Sequence, residues 1–197
     1  MIYKLSKKIV KYLEKENVLY EDREIYEYSI RLVISEMIAT TFILLIGLFT
    51  HHFIEAILYE IILSTSRSIL GGFHCKTYIS CILLYVSLFI VNLAISNIKL
   101  GSLLIIPIEF IGLLMTTICN PISNENKPLS YNKRIKFKKL SIIYIIAIIT
   151  IINIMIYYHI WIYNFIIYIF ITLQILTIGG KINERKTKKQ VLGDSFI

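Results

Sequence analysis

Six long apolar segments, at residues 30–50, 53–70, 78–95, 100–118, 140–158 and 160–178, occupy most of the 197-residue chain and leave only short polar joints between them. Each is close to the length an α-helix needs to cross a hydrocarbon core about 30 Å thick. In hydrocarbon every backbone N–H and C=O must be paired within the protein, so segments of this kind are helices rather than open strands. The expected fold is therefore all-α: a polytopic membrane protein of about six transmembrane helices in one domain, residues 1–197. A chain that is 56% hydrophobic and 17% charged, with a mean hydropathy of +0.70, lies outside the range of soluble globules.

Charge gives the expected orientation. Of the 21 lysines and arginines, twenty fall in residues 1–31, 67–77, 119–139 and the stretch after Gly180; Lys99 alone falls at the alternate joints. Short cytoplasmic loops retain basic residues, so both termini, the 67–77 joint and the 119–139 loop are expected in the cytoplasm. The formal charge of +8 follows from that topology, and with no basic soluble domain nucleic acid is not an expected partner. Residues 1–29 combine Ile2, Leu5, Ile9, Tyr12 and Leu13 at helical spacing with Lys4, Lys7, Lys8, Lys11 and Lys15 on the other face. That pattern predicts an amphipathic interfacial helix on the bilayer surface, or a dock for an acidic partner. No cleavable signal peptide is expected, and residues 179–197 are expected to form a flexible cytoplasmic tail.

The second segment departs from the rest because it carries Glu55, Glu60 and Arg67. Each charge would cost roughly 2.5 to 3.5 kcal/mol at a bilayer centre, so this segment must face protein or dip only partway into the bilayer. A Glu60–Arg67 pair that orders the bundle is one expectation, and a functional site is another. A carrier or scaffold with Glu55, Glu60 and Glu109 along a polar path is the non-enzymatic alternative.

Between the second and third segments lies RSILGGFHCKTYISC, residues 67–81. On one unbroken helix His74 and Cys81 would stand about 10.5 Å apart along the axis and could not touch. Gly71 and Gly72 offer a cheap helix stop and left-handed backbone, which places His74 on a short loop and Cys81 in the first turn of the next helix. A helix start and a nearby Lys76 both favour a thiolate, and a neighbouring imidazole completes an activated nucleophile. A buried, inert thiol is the alternative for Cys81, as Cys119 illustrates, and the three cysteines are expected to be free. His74, Cys75 and Cys81 could also ligate a metal, but a fourth ligand and CxxC spacing are both missing, so neither a metal nor another cofactor is expected. There is no HExxH for a zinc peptidase and no GxSxG elbow for a serine hydrolase.

Arg67, Gly71-Gly72, His74 and Cys81, in this order after a second apolar segment, resemble the AgrB (accessory gene regulator B) family of bacterial quorum-sensing membrane peptidases. The resemblance extends to the chain length, the basic N-terminal stretch, the six apolar segments and a loop with Pro121 followed by Asn126-Lys127-Pro128. It implies a cysteine endopeptidase of the bacterial cell membrane, with Cys81 as nucleophile and His74 as base. Arg67, Gly71, Gly72 and Lys76 would support the site. Its substrate would be a small AgrD-like precursor peptide, whose acidic tail is removed and whose core closes to a thiolactone or lactone. Cys75 stands outside the family pattern. A monomer and a homodimer fit the sequence equally.

Overall fold

A computed structural model describes residues 2–16, 23–71, 73, 75, 77–122 and 130–194. Those residues form seven α-helices and no strand: α1 (Ile2–Lys15), α2 (Arg23–Phe49), α3 (Phe53–Leu70), α4 (Tyr78–Ile95), α5 (Ser102–Cys119), α6 (Tyr131–Tyr157) and α7 (Tyr163–Asp194). Four of them, α2, α4, α6 and the Tyr163–Arg185 part of α7, are long and apolar enough to cross a membrane. Helix α3 has three charged side chains among its 18 residues, and Leu103–Cys119 of α5 is a shorter apolar helix containing Pro107. The outer faces are greasy: Leu103 is 88% exposed, Phe49 78% and Ile106 69%. Apolar exposure of this extent is what a lipid-facing surface requires, and the chain is a membrane protein.

Two helices form the middle of the bundle. Helix α3 packs on α2, α4, α6 and α7, and α7 packs on α3, α4, α5 and α6. Accordingly 61% of the apolar window of α7 is buried, against 22% for each of α2, α4 and α6. A relay of rings crosses this interior: Tyr59 to Phe89 at 5.2 Å between centroids, and Phe89 to Phe165 at 6.4 Å, edge to face. Some polar groups inside it are paired across helices. Asn92 and Thr172 exchange hydrogen bonds of 3.1 and 3.2 Å, and Tyr144 donates to the Ile62 carbonyl at 2.6 Å.

The joints sort to two ends. Ile122 N–H donates to the Leu70 carbonyl at 3.1 Å, and the Phe73 ring lies over Gly179, so the α3–α4 joint, the end of α5 and this part of α7 meet at one end. Lys99 is at the other, where Tyr168 donates to the neighbouring Ile98 carbonyl at 2.9 Å.

Several helix limits differ from the apolar pattern. Helix α2 begins at Arg23, before the first apolar segment, and α6 begins at Tyr131, so Lys133, Arg134, Lys136, Lys138 and Lys139 stand on helix rather than loop. Helix α7 runs past Gly179-Gly180 to Asp194, in place of a flexible tail. Hydropathy carries no signal in these polar stretches; ion pairs accompany two of the extensions, Arg23 and Arg31 with Glu27 on α2 and Lys181 with a buried Glu184 at 2.7 Å on α7. Helix α1 packs back along the start of α2, antiparallel to it. Arg31 donates to Ser6 Oγ at 3.3 Å and lies over the Tyr3 ring, while Arg23 reaches Glu14 at 3.2 Å.

Candidate functional site

The site is assembled where α3 ends and α4 begins. Helix α4 starts at Tyr78 because Thr77, in extended backbone, caps it: its Oγ1 accepts from Ser80 N–H at 3.2 Å. Cys81 N–H donates to the Thr77 carbonyl at 3.1 Å, which places Cys81 in the opening turn. Its side chain is buried, at 8% exposure. The helix start therefore lies where the glycine pair predicts it, and the Thr77 cap is a further finding of the structure. The amide of Cys81 itself, however, is already bound within the helix, so an amide is not what meets the sulfur.

A guanidinium meets it instead. Arg67 Nη2 donates to Cys81 Sγ at 3.3 Å, and the guanidinium carbon lies 4.4 Å from the centroid of the Tyr85 ring. Tyr85 follows Cys81 by one helical turn, so the two side chains share the α4 face turned toward α3. No Glu60–Arg67 ion pair forms. Seven residues separate the two by about 10.5 Å along α3, and Glu60 turns to α2, where Thr40 Oγ1 donates to it at 2.8 Å. Nor do the three carboxylates line one path. Glu55 is held by His52 at 2.8 Å and Glu109 by Asn153 of α6 at 2.8 Å.

Gly71 closes α3 with φ of 70°, a left-handed conformation that side chains other than glycine rarely adopt. Space demands glycine as well, since a Cβ there would come within 2.6 Å of the Ile122 carbonyl oxygen. Buried Pro121 and half-buried Ile122 thus form a shoulder against the end of α3. Beside that shoulder, the Asn120 side chain is 5% exposed and neither of its amide atoms has a partner among the described residues. Gly72, His74, Lys76 and the Asn126-Lys127-Pro128 stretch lie outside the described residues.

Cys75 is half-buried on the joint. Burial pushes its thiol above the ordinary range, the neighbouring Cys81 adds to the rise, and Arg67 opposes it. It is therefore a poorer nucleophile near neutral pH than the ordinary loop thiol that its position suggests. Among the described residues no group of three or more His, Cys, Asp and Glu side chains could hold a metal ion.

A small cleft adjoins the pair. Ser66, Arg67, Leu70, Gly71, Phe73 and Tyr85 form one part of its wall, and α7 supplies the rest through Leu173, Leu176 and Thr177. It has room for about one water molecule. Neither Tyr85 nor the α7 residues stand out in the sequence. The spacing of four from Cys81 to Tyr85 was the one available signal, and it says nothing of α7.

The family model described as AgrB, accessory gene regulator B, matches residues 6–178. An AgrB-like protein of Clostridium beijerinckii is 27% identical over 144 residues, covering 71% of this chain and 72% of that one. No solved structure matches the chain.

Proposed function

The chain belongs to the AgrB family, and from that premise we propose that it is a membrane-embedded cysteine endopeptidase that removes the C-terminal tail of a small AgrD-like precursor peptide. The observation that carries this reading is the buried contact of Arg67 with Cys81 at 3.3 Å. A guanidinium inside an apolar bundle calls for an anion, and among the described residues no carboxylate lies within ion-pairing distance of it. Once its proton has been removed, the Cys81 sulfur supplies that anion, and the charge-assisted bond holds it for attack.

The chemistry then follows. His74 takes the thiol proton, and the sulfur attacks the carbonyl at the end of the peptide core, turning its double bond into a tetrahedral oxyanion. The oxyanion collapses, the C–N bond breaks, and the departing amine of the tail takes the proton back from His74. The core remains on Cys81 as a thioester. A cysteine or serine of the core attacks that thioester, closing a thiolactone or lactone and releasing the Cys81 thiol. Exchange of thioester for thiolactone is nearly balanced and needs no nucleotide. Surrounding helices keep water from the thioester. Asn120, whose buried amide has no partner among the described residues, orients His74 in this reading. In this reading six helices cross the bacterial cell membrane, α1 lies at its surface, and both termini and the site face the cytoplasm, where precursor peptides are made.

The experiment is reconstitution of the full chain in vesicles with a precursor peptide. Cys81→Ala and His74→Ala each abolish cleavage, the double variant loses little more than either, and Cys75→Ser retains most of it. Cleavage by Cys81→Ala protein would refute the peptidase reading.

A further inference from the structure

The cleft beside Arg67 is lined by four polar side chains, and three of them are committed. Ser66 Oγ donates to the Leu63 carbonyl at 2.7 Å and Thr177 Oγ1 to the Leu173 carbonyl at 2.9 Å, each within its own helix. Arg67 donates to Cys81. The fourth, Tyr85, is only 4% exposed, and its phenolic oxygen has no hydrogen-bond partner among the described residues. Leaving such a hydroxyl buried and unpaired costs about 1–3 kcal/mol.

The ring, by contrast, is firmly held. Arg67 stacks over it at 4.4 Å, and Tyr59 meets it edge to face at 6.4 Å while donating to the Tyr85 carbonyl at 2.9 Å. A fixed ring with an unused O–H, one turn from a nucleophile and walling a space the size of a single oxygen, has the properties of a donor waiting for an acceptor that arrives with the substrate.

We propose that Tyr85 is a catalytic residue: with Arg67, its phenolic O–H receives the carbonyl oxygen of the peptide bond that Cys81 attacks. This rests on the peptidase reading. As the C–S bond forms, the carbonyl π electrons move onto oxygen, and the phenol donates to the growing negative charge while keeping its own proton. When the oxyanion collapses and the amine leaves, the hydrogen bond weakens to one with a neutral thioester carbonyl. The interaction is thus strongest at the transition state, which is where a donor accelerates the reaction. The acceptor is a backbone carbonyl, common to every peptide, so Tyr85 acts on rate and not on which peptide is chosen.

The test is Tyr85→Phe in the reconstituted full chain, which keeps the ring under Arg67 and deletes only the hydroxyl. The expected result is a fall in kcat of about 100-fold, with KM changed by less than about threefold. Alkylation of Cys81 by iodoacetamide should be unchanged, because that reaction forms no oxyanion. A kcat within about threefold of the parent would overturn the proposal. If alkylation also falls, the substitution has disturbed the fold, and 3-fluorotyrosine at position 85 replaces it as a near-isosteric, stronger donor. A changed kcat and pH profile would then support the proposal, and superimposable profiles would overturn it. The outcomes remain distinct from failure of the underlying reading: cleavage by Cys81→Ala protein removes the peptidase itself, whereas an inactive Cys81→Ala with a fully active Tyr85→Phe removes only the role of Tyr85.

Discussion

Cys81 and Cys119 make an instructive pair. Both are 8% exposed, both are free, and both lie at the same end of the bundle. Cys81 opens α4 and Cys119 closes α5. A helix start carries partial positive charge and a helix end partial negative charge, so the two sulfurs lie at opposite poles of their helices. The side chains amplify the contrast. Cys81 accepts a hydrogen bond from a buried guanidinium, whereas Cys119 has neither a hydrogen bond nor an ion pair among the described residues. Equal burial thus goes with unequal surroundings: a cation faces Cys81, and among the described residues none is bonded to Cys119.

The largest effect that could break this comparison is removal of the cation. A hydrogen bond to a charged group contributes about 1.5–3 kcal/mol, which corresponds to roughly 10- to 100-fold in rate or equilibrium. Arg67→Gln should slow alkylation of Cys81 by iodoacetamide near neutral pH by that factor, toward the rate of Cys119, and should depress cleavage with it. Cys119→Ala should leave cleavage unchanged. Equal alkylation of the two thiols in the parent protein would erase the distinction.

A smaller effect sharpens the geometric side. Gly71→Ala places a Cβ 2.6 Å from the Ile122 carbonyl on a backbone with φ of 70°, and so shifts the end of α3 that positions Arg67. Strain of that kind costs about 1–3 kcal/mol, which thermal unfolding in detergent would register as a lowered midpoint. Gly179→Ala is the control, because its Cβ would meet nothing nearer than 3.5 Å, the ring of Phe73. Equal melting of the two variants would show that the shoulder at Ile122 yields freely.

The smallest effect concerns Cys75. Its thiol is raised first by burial and then by Cys81, so it stays protonated to higher pH than an ordinary thiol and its alkylation should rise late in a pH series. Replacing Cys81 by alanine removes one of the two raising causes and should move the Cys75 profile toward lower pH. A profile that stays put would mean that burial alone sets it.

Much of this molecule was written in one dimension. Residues of one helix report their own face and ends to their neighbours in sequence, which is why the apolar segments, the glycine stop at Gly71 and the position of Cys81 in the opening turn were all legible. Hydropathy was blind wherever a helix leaves the apolar phase, so the basic start of α6 and the α7 extension to Asp194 escaped it.

The sequence by itself determined an all-helical membrane protein with a candidate nucleophile at a helix start. Only the tertiary structure decided what that nucleophile meets. The sequence offered Glu60 as the partner of Arg67; in the bundle Glu60 stands about 10.5 Å along α3 from it and accepts from Thr40 on α2, while Arg67 meets Cys81. Tyr85 acquired its place from Arg67 and Tyr59, and the cleft acquired its far wall from α7, about a hundred residues away in the chain. Contacts of that range depend on which helix fills which groove, a property of the whole packed bundle that the local periodicity of no single segment records.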